Sequence, residues 1–204
     1  RVLYRLLGGG SLDGLLVSSA VITSMDPAYV DSFLASLPDI PIVLLATAPT
    51  SLPCLVVDNR IGMDALMDHL ITVHGRRRVA MLAGPLSHPD ARSRLDCWRR
   101  TLQAAGLPHD DALWVECDWL GVQLPEKLDR LLAKAGSFDA LVCSNDVPAI
   151  DAMDLLRGRG FRVPEEVSVV GFDGIASTFF SDPPLTTVVQ PLWRQIQTAF
   201  DLLL

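Results

Sequence analysis

The sequence predicts an α/β protein with parallel sheets, and two observations lead to this prediction. Short apolar runs alternate with segments of helical periodicity along most of the 204 residues, as they do in chains of βαβ units. The apolar runs are also nearly continuous, which is typical of strands covered by helices on both faces. The predicted strands are residues 14–18, 42–45, 55–57, 79–82, 113–115, 140–143 and 168–171.

The helical segments show the periodicity of helices packed on a sheet. Apolar residues in the first long segment recur at the i, i+3, i+4, i+7 and i+8 positions of one helix face. These residues are Met63, Leu66, Met67, Leu70 and Ile71. A last helix is predicted over residues 192–204, after Pro191.

Composition excludes several classes of protein. Half of the residues are hydrophobic and 20% are charged, which excludes a disordered chain. The net charge of -7 disfavours direct contact with a phosphate backbone. No apolar run approaches the roughly 20 residues that a membrane helix requires. The four cysteines are single and widely spaced, so we expect neither a zinc knuckle nor a disulfide framework, and a cytoplasmic location fits best.

The sequence gives no support for catalysis, a cofactor or a metal site. No phosphate-binding GxxxxGK[ST] motif and no compelling nucleophile–base pair is present. The four histidines are scattered, and His69 and His74 are five residues apart. That spacing does not place a pair of metal ligands on one face of an α-helix. We therefore predict a binding protein rather than an enzyme.

Polar residues follow four of the predicted strands. Ligands of parallel α/β domains bind outside the carboxyl ends of the strands, so these residues are candidates for one pocket. The four segments are the loop of residues 84–94, Asp118-Trp119, Ser144-Asn145-Asp146 and Phe172-Asp173-Gly174. Their convergence predicts a site for a polar small molecule.

Several runs resemble motifs of the LacI/GalR family of transcription regulators, in the family's order and spacing. The similarity covers most of residues 14 to 204. The runs include Val57-Asp58-Asn59-Arg60, Gly75-Arg76-Arg77-Arg78-Val79-Ala80, Ala91-Arg92-Ser93-Arg94-Leu95, Ser144-Asn145-Asp146, Val170-Gly171-Phe172-Asp173 and Pro183-Pro184-Leu185-Thr186-Thr187-Val188.

The resemblance implies a periplasmic-binding-protein-like fold of type I, with two parallel-sheet lobes joined by crossover strands. The crossovers would pass near residues 58–62 and 184–190. We expect a partial amino-terminal lobe in residues 1–59 and a carboxyl-terminal lobe in residues 60–188. Residues 189–204 would return to the amino-terminal lobe.

The resemblance also implies which residues bind the ligand. Arg94, Asn145 and Asp173 match family ligand contacts, and Trp119 lies where some members place a stacking aromatic. His88 and Asp90, in the polar loop, are further candidates. A simpler role is open for four of these residues. Arg94 could be a surface ion-pair partner, and Trp119 could be ordinary packing. Asp173 could cap the next turn, and Asn145 could cap the following helix, for which Asp146 is the better candidate.

By resemblance, the chain is a small-molecule sensor whose effector is a sugar or sugar-like polyol. It would form a homodimer and act on DNA only through an amino-terminal helix-turn-helix domain outside these 204 residues, with no membrane partner. The same sensor fused to another signalling module and a free sugar-binding protein are the alternatives. Gly174 stands where the family commonly has a second acidic residue, so the identity of the effector stays open.

Overall fold

A computed structural model describes residues 12–18, 32, 40–45 and 52–204. The chain divides into two compact units, Arg1–Val57 with Pro191–Leu204, and Asp58–Gln190. The lobe boundaries implied by the family resemblance stay a prediction. In the part of the chain that is described, no helix is long and apolar enough to cross a membrane.

The described residues form eight strands and five α-helices. The strands are β1 (Leu15–Ser18), β2 (Ile42–Leu45), β3 (Cys54–Leu55), β4 (Val79–Ala83), β5 (Trp114–Glu116), β6 (Ala140–Cys143), β7 (Ser168–Asp173) and β8 (Thr186–Val189). The α-helices are α1 (Asn59–Asp68), α2 (Pro89–Ala104), α3 (Leu124–Ala135), α4 (Asp146–Gly158) and α5 (Leu192–Leu203).

Both sheets are parallel, as predicted. In the first unit, the described strands pair in the order β1-β2-β3, and α5 contacts β2. In the second unit, the order is β5-β4-β6-β7-β8, with Val79 opposite Ala140 and Ala140 opposite Ser168. The central strands β4 and β6 are buried along their whole length, which explains their continuously apolar sequences.

The predicted apolar stripe of α1 and the turn that follows it is confirmed, because all five of its residues are buried in the core of the second unit. Burying side chains of this size stabilises the fold by roughly 1.5–3 kcal/mol each. The α-helix ends at Asp68 and continues as a π-helical turn over His69–Val73. The sequence pattern does not predict this change of helix type, since Leu70 and Ile71 keep the apolar stripe.

Two boundaries differ from the prediction for local reasons. Residues 59–62 were expected in a crossover, but α1 begins at Asn59, because the Asp58 side chain caps it by accepting a hydrogen bond from the Arg60 N–H. Leu113 was expected in a strand, but it lies in a 3₁₀ turn that Asp110 caps. The other expected crossover, residues 184–190, contains the edge strand β8, which pairs with β7.

Candidate ligand-binding site

The carboxyl ends of β4, β5, β6 and β7 bring the predicted site residues together in the second unit. We call this group, together with Asn59, the polar cluster. Its members are linked by the contacts described below, and they lie on α1, on α2, at the end of β7 and in the loops that follow β4, β5 and β6. The cluster consists of Asn59, His88, Asp90, Arg94, Trp119, Asn145 and Asp173.

Arg94 is the centre of the polar cluster. It lies on α2 and is only 2% exposed. Its Nε donates to Asn59 Oδ1 at 2.8 Å, and its Nη1 donates to the carbonyl of Ser144 and lies 3.5 Å from Asp173 Oδ1. The guanidinium carbon is 3.7 Å from the centroid of the Phe172 ring, within cation–π range. Arg94 is therefore a buried cation held in place on several sides, and its reading as a surface ion-pair partner is wrong.

Asp173 ends β7 with an unusual backbone and a partly accessible carboxylate. Its φ of 124° is rarely adopted by a residue other than glycine, and such strain is typical of functional sites. The side chain is 29% exposed, and Gln190 Nε2 donates to its Oδ1 at 2.6 Å. Burial raises the pKa of Asp173, opposed by the Gln190 hydrogen bond and the charge of Arg94. Ile175 takes the N-cap position of the next turn, so Asp173 is not its cap.

Asn145 offers a buried acceptor to the site. It occupies the N-cap position of α4, yet its side chain makes no capping hydrogen bond. Instead, its Nδ2 donates to the carbonyl of Trp119 at 2.8 Å. Its Oδ1 is buried, and within the described residues it has no hydrogen-bond partner. A buried acceptor without a partner lowers the stability of the fold by about 1–3 kcal/mol. A bound ligand or an ordered water would supply the missing donor.

Asp146 was expected to cap α4, and that expectation is wrong. Its carboxylate is fully buried and accepts hydrogen bonds from Gly174 N (2.7 Å), Ile175 N (2.9 Å) and Thr187 Oγ1 (2.5 Å). The Asp146 carboxylate thus bonds to the loop after β7 and to β8 rather than to the start of its own helix. Asp146 therefore holds the segment that follows Asp173 and fixes it next to β8.

Trp119 and His88 form the aromatic part of the polar cluster. Their rings meet edge to face, with centroids 5.3 Å apart and an interplanar angle of 89°. The Arg94 guanidinium lies 6.0 Å from the Trp119 ring centroid. Gly84 permits this placement, because a Cβ there would lie 2.5 Å from Cζ3 of the indole. The indole is therefore fixed by a close approach to the backbone that only glycine allows.

The start of α2 joins His88 and Asp90 to the polar cluster. His88 is the N-cap residue, and its Nδ1 accepts a hydrogen bond from the Asp90 N–H at 3.2 Å. Burial lowers the pKa of His88, with the charge of Asp90 opposing that shift, so the ring is neutral near pH 7. Asp90 Oδ1 in turn accepts from Asn59 Nδ2 at 2.9 Å.

Asn59 is the member of the polar cluster that sequence reasoning missed as a site residue. It is 2% exposed and bridges Asp90 and Arg94 through the two ends of its amide. Its run, Val57-Asp58-Asn59-Arg60, was among the family-like motifs. That similarity was the available signal, because nothing in the local pattern distinguishes Asn59 from a helix-start residue.

Comparison with known proteins decides the family. Residues 67–204 match the profile of the periplasmic binding protein-like domain. A LacI family transcriptional regulator from Mycobacterium smegmatis is 30% identical in sequence, with a TM-score of 0.82 over 98% of this chain and 72% of that one. The chain belongs to the LacI family. The predicted periplasmic-binding-protein-like fold with parallel sheets is thereby confirmed.

Two other known regulators are similar to this chain to about the same degree. The HTH-type transcriptional repressor PurR of Vibrio cholerae is 31% identical over 210 residues, which cover all of this chain and 60% of PurR. The transcriptional regulator CelR, solved as its cellobiose complex, is 29% identical with a TM-score of 0.84, over 99% of this chain and 61% of CelR. The chain thus spans about 60% of the length of these relatives. Both of these relatives are named as transcription regulators, in agreement with the prediction of a binding protein rather than an enzyme.

Proposed function

We propose that this chain senses a sugar or sugar-like polyol for a LacI-type transcription regulator, and that the polar cluster binds the effector. The observation that carries the proposal is the unpartnered, buried Oδ1 of Asn145. Asn145 follows Ser144, whose carbonyl accepts a hydrogen bond from Arg94. Arg94 in turn contacts the partly exposed carboxylate of Asp173. These groups offer acceptors and a fixed cation to one ligand.

The chemistry of these groups suits hydroxyls. A sugar hydroxyl both donates and accepts, so it can donate to Asn145 Oδ1 or Asp173 and accept from Arg94. The indole of Trp119 supplies an apolar surface of the kind that covers the C–H face of a sugar ring. Two or three charge-assisted hydrogen bonds of about 1.5–3 kcal/mol each, with stacking, support an affinity near the micromolar level, about -8 kcal/mol.

Charge supports a neutral ligand over an anionic one. Arg94 is the one cation that contacts Asp173 and Trp119 among the described residues, and the carboxylates of Asp90, Asp146 and Asp173 all act on it electrostatically. A phosphate or carboxylate ligand would therefore meet an excess of negative charge. A neutral polyol avoids that repulsion.

The output of the sensor is part of the proposal. We infer that the complete protein binds DNA through an amino-terminal helix-turn-helix domain, works as a homodimer and acts in the cytoplasm. Support comes from the relative named an HTH-type repressor, of which this chain spans 60%. Fusion to a different signalling module, or release as a free sugar-binding protein, would show in the sequence flanking these residues.

Calorimetry of the intact protein against a panel of sugars and nucleosides tests the proposal. We expect a neutral sugar to bind, and we expect Arg94→Ala and Asp173→Ala to weaken that binding about tenfold or more, because each removes a charge-assisted hydrogen bond. Arg100→Ala is the matched control, since Arg100 lies on the same helix but pairs with Asp64 on the surface. Circular dichroism verifies that each variant is folded, and Arg94→Lys replaces Arg94→Ala if the latter unfolds.

Two results would count against the proposal. Unchanged affinity in both site variants would exclude the polar cluster as the binding site. If nucleosides bind and no sugar binds, the polar cluster stays the proposed site but the effector is not a sugar.

A further inference from the structure

His69 and His74 meet at the end of α1, outside the polar cluster. The π-helical turn His69–Val73 explains this, because its hydrogen bonds run from residue i+5 to residue i. The His74 N–H accordingly donates to the His69 carbonyl at 3.2 Å. Five residues therefore correspond to about one turn of this segment. The expectation that this spacing keeps the two imidazoles off one face is wrong.

The two side chains have the geometry of a chelating pair. Their Nε2 atoms are 3.1 Å apart, and their ring planes are nearly perpendicular at 84°. Two imidazole nitrogens bound to one tetrahedral Zn²⁺, at about 2.0–2.1 Å each, are about 3.3 Å apart. The observed separation, which the two rings span by a hydrogen bond, is within a few tenths of an ångström of that value. An ion would therefore replace that hydrogen bond and bind both nitrogens, with the ring protons on Nδ1.

The surroundings leave room for further ligands. Both histidines line a cavity of about 290 Å³, together with Glu165 and Ser168. Arg76 also lines it, and its charge opposes a cation. However, Arg76 Nη2 donates to the carbonyl of Pro164 at 2.8 Å, and its guanidinium also donates to the carbonyls of Glu165 and Glu166, so it is held by this stretch of backbone. The cavity therefore has space for water beside the two imidazoles.

We propose that His69 and His74 bind a divalent transition-metal ion of the class that prefers imidazole, such as Zn²⁺, Co²⁺ or Ni²⁺. Across the described residues, no group of three or more His, Cys, Asp or Glu side chains is placed to hold a metal. Water therefore completes the coordination, and the ion exchanges readily. A bound ion would link His69, the first residue of the π turn, to His74, the residue that caps the turn, and stabilise the end of α1.

Titration of the intact chain with Zn²⁺ by calorimetry tests this site, with Co²⁺ absorption as a report on nitrogen coordination. We expect one equivalent to bind, and we expect His69→Ala and His74→Ala each to weaken binding at least tenfold. His109→Ala is the matched control, because His109 is an exposed histidine whose ring bonds to the Leu107 carbonyl. His74 is also exposed, so its replacement leaves the core intact and keeps the test informative if His69→Ala unfolds.

Either of two outcomes would overturn the metal site. One is the absence of Zn²⁺ binding by the unmodified chain. The other is equal affinity in the His74→Ala and His109→Ala variants, which would place the ion on other ligands, such as the cysteines.

Discussion

At the residue scale, buried polar groups fix one another at the polar cluster. Asp146 uses both carboxylate oxygens on the loop after β7 and on Thr187, and Asn59 uses both ends of its amide on Asp90 and Arg94. These hydrogen bonds hold the neighbouring side chains in one arrangement, because a buried polar group that loses its partner lowers the stability of the fold by about 1–3 kcal/mol. The side chains of Arg94 and Asp173 are therefore held in place by their neighbours, as the proposed binding site requires.

Gly84 gives a residue-scale prediction. In Gly84→Ala, the new Cβ would meet the Trp119 indole at 2.5–2.6 Å and must displace it. Loss of a correctly placed aromatic face costs about 1 kcal/mol, so we expect calorimetry to show roughly fivefold weaker binding of the sugar effector. The control is Gly158→Ala, where a Cβ meets nothing within 4 Å. Equal affinity in both variants would mean that Trp119 does not contact the effector.

Arg94, Asn145 and Asp173 could be chosen from the sequence, because each stands in a family-like run: Asn145 and Asp173 at strand ends, and Arg94 on the helix that follows β4. The roles of Asn59 and Asp146 could not. The partners of Asn59 are 31 and 35 residues away, and those of Asp146 are 28 to 41 residues away. Hydrogen bonds over such separations depend on the tertiary fold and leave no periodic trace in the sequence.

At the element scale, α1 packs against the edge strand β8 at a glycine. A Cβ on Gly62 would lie 2.5 Å from Cγ1 of Val188. The close approach holds the start of α1, and with it Asn59, near the sheet. A larger residue at position 62 would push the helix and the strand apart.

A double-mutant cycle tests this packing. We expect Gly62→Ala to lower the free energy of unfolding by about 1–3 kcal/mol, because it overpacks the contact. Val188→Ala makes room for the new methyl group, so the cost of the double variant is smaller than the sum of the two single costs by about 0.5 kcal/mol or more. Urea denaturation measures all three. Strictly additive costs would show that the two residues do not touch.

Elements with strong patterns were predictable, and those defined by pairing or hydrogen-bond register were not. A continuous apolar run identifies β4 and β6, and an apolar stripe identifies α1, because buried strands and packed helices require apolar side chains at those positions. β8 was expected as a crossover, since its residues are exposed or half-buried and its pairing with β7 depends on the tertiary fold rather than on a local pattern. The π turn has the same apolar stripe as an α-helix, so periodicity does not reveal it.

At the scale of the whole molecule, every residue of the polar cluster belongs to the unit Asp58–Gln190. The parallel order β5-β4-β6-β7-β8 turns four successive carboxyl ends to the same edge of one sheet, which is why residues from 59 to 173 meet there. The sequence predicted this convergence from the strand pattern alone. It could not predict which hydroxyls the site accepts, because that depends on distances between side chains.

The most direct test of the central claim is a crystal structure of the intact chain with the sugar that binds best in the calorimetric panel. We predict ligand hydroxyls within hydrogen-bond distance of Arg94, Asn145 Oδ1 and Asp173, with the ring against Trp119. A ligand ordered elsewhere on the chain, touching none of these residues, would contradict the account.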